Sequence, residues 1–218
     1  MPPLKSTART TKPHRPYAPR MAAEKRREHL LDAALSVIAE QGYGRVSVEA
    51  VARAAGVTRP VVYDHFRDLG ELLHALIERE ERYSLAQLEH VLPDDPEQLH
   101  PADVLSSSVR RFLDAVCSRP ATWTLILLPL EGTPAIVRRH VEANRAEMLS
   151  RMEGVVRWAI EHSSAPRAHR QVDVELAARA ILGLTEDAGR LVLLDPERYS
   201  PDRYEQFVSW VMKLLWPA

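Results

Sequence analysis

From Ala22 onward, apolar residues recur at helical rather than strand spacing. Leu31, Ala34, Leu35 and Ile38 mark one face of a first helix, which Gly42 and Gly44 end. Ser47 is a good N-cap for a second helix with Val48, Val51, Ala52 and Ala55 turned inward, and Gly56 breaks it. Thr58 caps a short third helix, where Pro60 is tolerated in the first turn. Asp68 caps a fourth, with Glu71 three residues on forming a capping-box-like pair. That helix runs through Leu72, Leu73, Leu76 and Ile77 to about Leu88, and Pro93 to Pro96 mark a linker.

Five further amphipathic segments follow, near 102–118, 121–130, 134–163, 173–194 and 202–216. Pro120, then Gly132 with Pro134, then Ser163 to Pro166, then Pro196 to Pro201 separate them. Strand alternation and internal repeats are absent from the sequence. The expected fold is all-α, an N-terminal three-helix head followed by a larger C-terminal helical bundle.

Composition adds a division of charge. The 218 residues are 45% hydrophobic and 27% charged, with a formal net charge of −1, which is ordinary for a globular chain. Residues 1–70 nevertheless hold 12 Lys/Arg against 7 Asp/Glu, and the remainder 17 against 23. A basic front and an acidic back suit a nucleic-acid-facing end. Residues 1–21 combine five prolines with five basic residues and no acid, and are expected to form a flexible basic arm. Such an arm either tracks phosphates or a minor groove, or is a solvated tail. The lone Cys117, set after Phe112, Leu113 and Val116, reads as a core residue in a reducing compartment. The start carries no secretory pattern, and the apolar run Leu125 to Leu130 is too short to cross a bilayer. A soluble cytoplasmic protein without membrane contact is the expectation.

Chemistry concentrates in Ser47 to Phe66, SVEAVARAAGVTRPVVYDHF. Two short helices meet at Ala55-Gly56-Val57, a helix-turn-helix arrangement. In the third helix Val62 and Phe66 are four apart and face the core, leaving Arg59, Pro60, Val61, Tyr63 and Asp64 on other faces. Thr58 can bond a phosphate, Arg59 can reach guanine O6 and N7, and Val61 can touch a thymine methyl. Asp64 either accepts from a cytosine amino group or pairs locally with Arg67.

The run RREHLLDAALSVIAEQGY at 26–43, SVEAVARAAGV at 47–57, TRPVVYDHF at 58–66 and DLGELL at 68–73 resembles the DNA-binding head of the TetR family of bacterial transcriptional regulators. The resemblance implies DNA-facing positions at Thr58, Arg59, Pro60, Val61, Tyr63, Asp64 and His65, with Ser47 and Arg67 beside them. It implies domains at 1–21 (arm), 22–67 (helix-turn-helix head) and 68–218 (connecting helix with a ligand-binding and dimerisation body). One departure stands out. The family usually carries a phosphate-binding Lys just after the fourth-helix N-cap, and here Leu69 occupies that place. Arg67, the arm, or the helix N-terminus itself are the candidate substitutes.

The resemblance further implies a small-molecule effector, a palindromic double-stranded DNA operator, release of a repressor by ligand, and a homodimer formed through the last two helices. Ala177, Ala178, Gly183, Ala188 and Gly189 allow close helix approach there, and equally suit a monomeric core. Phe112, Trp123, Leu127, Met148, Met152 and Trp158 are the candidate pocket wall, though each also fits a plain packed core. Glu186 and Arg190 either place polar contacts in that pocket or form a routine i,i+4 pair; Glu175 and Arg179 make the same kind of pair, expected on a solvated face. No cofactor is implied. An enzyme reading finds no nucleophile elbow around Ser106 to Ser108, and only His74 with Glu78 hints at a metal. Neither a catalytic nor a metal site is therefore expected. The competing reading is a small-molecule-binding bundle without DNA binding, kept open by Leu69 and Asp64.

Overall fold

The computed structural model describes residues 22–89, 91, 99–128, 133–162 and 172–215. Among them stand nine α-helices: α1 Ala23–Gln41, α2 Val48–Ala54, α3 Arg59–Tyr63, α4 Leu69–Leu88, α5 Pro101–Ser118, α6 Pro120–Leu127, α7 Ala135–Glu161, α8 Val174–Leu194 and α9 Pro201–Leu215. A single 3-10 turn, Tyr43–Arg45, joins α1 to α2. The basic arm expected over 1–21 and the linkers at 93–96 and 163–166 lie outside the described residues.

Local chemistry explains the boundaries. Ser47 accepts from the Ala50 amide at 3.1 Å, Asp68 from Glu71 at 2.8 Å, and Asp173 from Leu176 at 3.1 Å, so side chains cap these helix starts. The segments expected from 102, 121 and 202 each begin one residue earlier, at Pro101, Pro120 and Pro201. Proline at the first helical position forfeits only an amide that has no intrahelical partner. Thr58 occupies the N-cap of α3, but its hydroxyl makes no cap bond. The capping box at α4 also departs from expectation. Glu71 accepts from the Arg67 amide at 2.8 Å, one residue before the cap, and from Arg67 Nε at 2.9 Å. α6 stops at Leu127, earlier than the expected 130, because Leu128 turns to extended backbone.

The head core gathers Leu30, Leu31, Ala34 and Ile38 of α1, Val51 and Ala52 of α2, Val62, Phe66, and Leu72 and Leu76 of α4. It does not stop at residue 67. Leu125 of α6 and Val137 of α7 belong to the same buried cluster, so body helices plug directly into the head. A second core joins Phe112, Leu113 and Val116 of α5, Trp123 and Leu127 of α6, and Ala188 and Val192 of α8. Phe112 and Trp123 meet edge to face with centroids 5.2 Å apart. Arg110 of α5 fastens α9 by ion pairs to Asp202 and, at 2.9 Å, to Glu205.

Cys117 departs from the core reading: it is exposed. One turn before it Leu113 is buried and Asp114 exposed, so Cys117 sits at the boundary of the buried stripe and turns to its solvent side. The small residues of α8 divide. Ala178 and Ala188 are buried within the chain and Gly189 packs against Leu127 and Phe112, whereas a side chain at Gly183 would meet open space. Leu176, Leu184, Leu194, Phe207 and Trp210 leave a large apolar surface on α8 and α9 exposed. No helix among the described residues is long and apolar enough to cross a membrane.

Candidate nucleic-acid interface and effector cavity

The turn between α2 and α3 rests on Gly56, whose φ of 64° lies in the left-handed region that side chains resist. The Val57 amide donates back to Ala52 at 2.9 Å, and His29 Nε2 lies 3.0 Å from the Ala55 carbonyl, tying the turn to α1. Val62 and Phe66 are buried to 1% and 2% exposure, and the Arg27 guanidinium covers the Phe66 ring at 4.9 Å. These anchors decide which face of α3 is left outward.

On that outward side Thr58, Arg59, Pro60, Tyr63 and Asp64 are exposed, while Val61 and His65 are half-buried. The Arg59 guanidinium and the Tyr63 phenol, one helical turn apart, interact: a hydrogen bond to Tyr63 is the main influence raising the arginine's pKa. Their pairing makes one donor-rich unit at the start of α3. Ser47 is exposed, with its hydroxyl oxygen committed to the α2 cap. Arg67 projects into solvent with its side chain 87% exposed. Its partner is Glu71 and not Asp64, for which a local pair with Arg67 was one of two expectations, because Glu71 is positioned by the α4 cap to receive both the Arg67 amide and its guanidinium. Those bonds hold the Glu71 carboxyl below the usual carboxylate range, the backbone bond being the largest influence. Leu69 is half-buried and packs on the head core.

Beneath the head, α4, α5, α6, α7 and α8 enclose a cavity of about 560 Å³. Phe112, Trp123, Leu127, Met148 and Met152 line it together. Trp158 does not; it stacks on His162 with centroids 5.0 Å apart, one turn beyond the cavity. The size is ordinary for a small-molecule site, and the wall is mainly aliphatic and aromatic.

Several polar lining residues were not legible as such in the sequence. Glu186 and Arg190, for which the sequence left open a pocket contact or a plain surface pair, line the cavity, beside residues such as Arg145 and His140 that the sequence did not single out. Glu186 pairs with Arg145 at 3.0 Å and with Arg190 at 3.4 Å, and Arg190 Nε donates to the Leu127 carbonyl at 2.9 Å. That carbonyl is open because α6 ends there, so an arginine from a neighbouring helix completes it. Glu175 and Arg179 do remain in solvent, paired at 3.0 Å. His140 of α7 pairs with Glu81 of α4 across the wall. Glu80, only 1% exposed, also borders the cavity. A signal for it existed: it continues the buried stripe Leu73, Leu76, Ile77, and a carboxylate on such a stripe demands buried partners.

His74 and Glu78 pair with each other at 3.2 Å on an exposed face of α4. Among the described residues no group of three or more His, Cys, Asp or Glu side chains is placed to hold a metal.

Comparison with known proteins agrees with this geometry. The family described as bacterial regulatory proteins, tetR family, matches residues 30–76, which span α1 to the middle of α4. The HTH-type transcriptional regulator AcrR of Shigella flexneri is 37% identical over 153 residues, 66% of this chain and 68% of that protein. The HTH-type transcriptional regulator SrpR of Pseudomonas putida is 32% identical over 199 residues, 89% of this chain and 85% of that protein. A TetR-like transcriptional regulator from Rhodococcus sp. RHA1 shares the fold with a TM-score of 0.69 at 22% identity, over 90% of this chain and 98% of that one. With the helix-turn-helix of α2 and α3 presented outward and relatives aligned along most of its length, this chain belongs to the TetR family of DNA-binding transcriptional regulators.

Proposed function

We propose that this regulator is a homodimeric repressor that acts by binding and is released from a palindromic operator by a small molecule held in the α4–α8 cavity. Each head sets α3 into a major groove. Arg59 reads guanine, oriented by Tyr63; Val61 meets a thymine methyl; Thr58 and the amides at the start of α3 hold phosphate. Pro60, His65, Ser47 and Arg67 lie along the backbone of the same half-site, and Asp64 accepts from a cytosine amino group. The protein works in the cytoplasm, where its DNA is.

The observation that carries this reading is the opposition within α3. Val62 and Phe66 fix the inner face, and the outer face keeps Arg59, Thr58 and Tyr63 uncommitted to the core. Two such heads need a dimer, and the exposed Leu184, Leu194, Phe207 and Trp210 supply an apolar surface for α8 and α9 to pack against a second copy.

The effector is a mostly apolar molecule with one polar end. Phe112, Trp123, Leu127, Met148 and Met152 would take its apolar body, while Arg145, Glu186 and Arg190 offer the charged end of the cavity. Ligand-to-operator coupling of about 1–3 kcal/mol would weaken operator binding roughly five- to 150-fold.

Selection of bound sequences from random duplex DNA tests the reading. A two-fold symmetric site with half-sites about one helical turn apart is expected. A chain that enriches no sequence would be a ligand-binding bundle without DNA binding.

A further inference from the structure

The cavity and the head are joined by one buried polar chain. Arg79 of α4 is only 3% exposed. Its Nη1 donates to Asp32 at 2.7 Å and to Glu28 at 3.0 Å, both on α1 of the head. Its Nε donates to Glu80 Oε1 at 2.8 Å. The other carboxylate oxygen of Glu80 accepts from the Thr122 hydroxyl of α6 at 2.5 Å. Burial opposes the Arg79 charge, but the hydrogen bond to Glu28 and the charges of Glu80 and Asp32 outweigh it and raise its pKa.

Both ends of this chain matter. Glu80 borders the cavity, and α6 supplies Trp123 and Leu127 to the cavity wall immediately beyond Thr122. At the far end, Glu28 and Asp32 sit on the solvent side of the helix whose Leu30, Leu31 and Ala34 build the head core. An apolar wall alone would let the head slide over the body, since dispersion contacts are weakly directional. The buried pair of Arg79 and Glu80 has few alternative arrangements, because a bond left unmade on either strands a desolvated charge.

We infer that Thr122, Glu80 and Arg79 form a positioning relay through which the state of the cavity sets the seat of α1, and with it the spacing of the heads. The inference rests on the DNA-binding, ligand-released reading above. Thr122 keeps Glu80 turned so that Oε1 faces Arg79. A molecule that presses on Trp123 and Leu127 draws α6 away from α4 and separates Thr122 from Glu80. The carboxylate, stripped of one buried donor, rotates to recover it, and Arg79 loosens its hold on Glu28 and Asp32.

The relay is testable without knowing the effector. Thr122→Val keeps the side-chain shape and removes only the hydroxyl. In the full chain it is expected to shift affinity for a selected operator roughly two- to thirtyfold and to speed amide hydrogen exchange in α1 around Glu28 to Asp32. Thr122→Ser, which retains the hydroxyl, returns both readouts to wild type. Thr124→Val, on the same helix but outside the cavity lining and the relay, changes neither. The relay is overturned if Thr122→Val matches Thr124→Val in both assays, or if Thr122→Ser fails to restore them. Should Thr122→Val not fold, Glu80→Gln is read in the same two assays against wild type, with the same two outcomes. Should the wild type select no operator, the DNA-binding reading fails, and α1 exchange alone still decides the relay.

Discussion

A methyl group placed on Gly189 of α8 would lie 2.7 Å from Leu127 Cδ1, at the end of α6. Real side chains do not approach so closely, so glycine here sets how near α8 comes to the cavity wall. The tip of Leu127 is movable and can swing into the cavity. Gly189→Ala is therefore expected to change unfolding free energy by less than about 1 kcal/mol, the helix-propensity gain of roughly 1 kcal/mol offsetting the crowding. Gly189→Val, bulkier and branched, should lose roughly 1–3 kcal/mol. Denaturant melts compare them; equal stability of the two variants would refute the close approach.

Arg59 and Tyr63 stand one helical turn apart on the exposed side of α3. Arg59→Ala should weaken specific operator binding by about 1–3 kcal/mol and relax preference at one base pair. Tyr63→Phe should give a smaller loss at the same base pair, since only the orienting bond is removed. Repeating the sequence selection with each variant shows whether the relaxed position coincides.

Leu69 packs on the head core at the position where the resemblance implied a phosphate-binding lysine. Leu69→Lys should add about one neutralised phosphate, steepening the plot of log affinity against log salt by roughly 0.9. Stability should fall slightly as the half-buried leucyl contact is lost. An unchanged slope in a titration of operator binding against salt would mean that this helix start does not meet DNA.

Phe207 and Trp210 are 57% and 60% exposed in the single chain. If α9 buries them against a second copy, Phe207→Ser with Trp210→Ser should yield a monomer in analytical ultracentrifugation. Operator affinity should drop with dimerisation, since one head alone reads a single half-site. A double variant that sediments like the wild type removes α9 from the interface.

Cys117 is exposed yet has a raised pKa, chiefly through partial burial of its sulfur, with Asp114 adding to the effect against a smaller pull from Arg110. Raising the pKa lowers the thiolate fraction at any pH below the folded value. Iodoacetamide should thus modify the native chain more slowly than the unfolded chain near pH 8, the gap closing as pH rises through the folded pKa. Asp114→Asn should speed the native reaction. A native rate equal to the unfolded one at pH 8 would exclude the effect.

Much of the fold was legible because its cues are local. Ser47 and Asp68 announce helix starts through a side-chain oxygen, and Gly56 announces a turn with a positive φ. The stripe of Leu31, Ala34, Leu35 and Ile38 encodes its burial in its own spacing. Five of the six candidate wall residues do border the cavity, while Trp158 falls one turn past it, because helical period tells which face is inward but not how far the partner helices extend.

Partnership across helices was not legible. Arg67 had Asp64 three residues before it and Glu71 four after, and the cap geometry of α4 selected Glu71. Glu186 and Arg190 match the solvated pair Glu175 and Arg179 in spacing; what separates them is Arg145 on α7 and the open Leu127 carbonyl on α6. Cys117 shares its segment with buried neighbours and still points outward.

By itself the sequence determined the helices, their caps, the helix-turn-helix and the outward face of α3, since each depends on interactions within a few residues. Tertiary structure alone decided the cavity, the burial of Arg79 and Glu80 between head and body, and the apolar face left exposed on α8 and α9. Those features arise from pairs such as Arg79 with Glu80 and Glu80 with Thr122, whose charges and hydroxyls acquire meaning only when distant segments remove them from water.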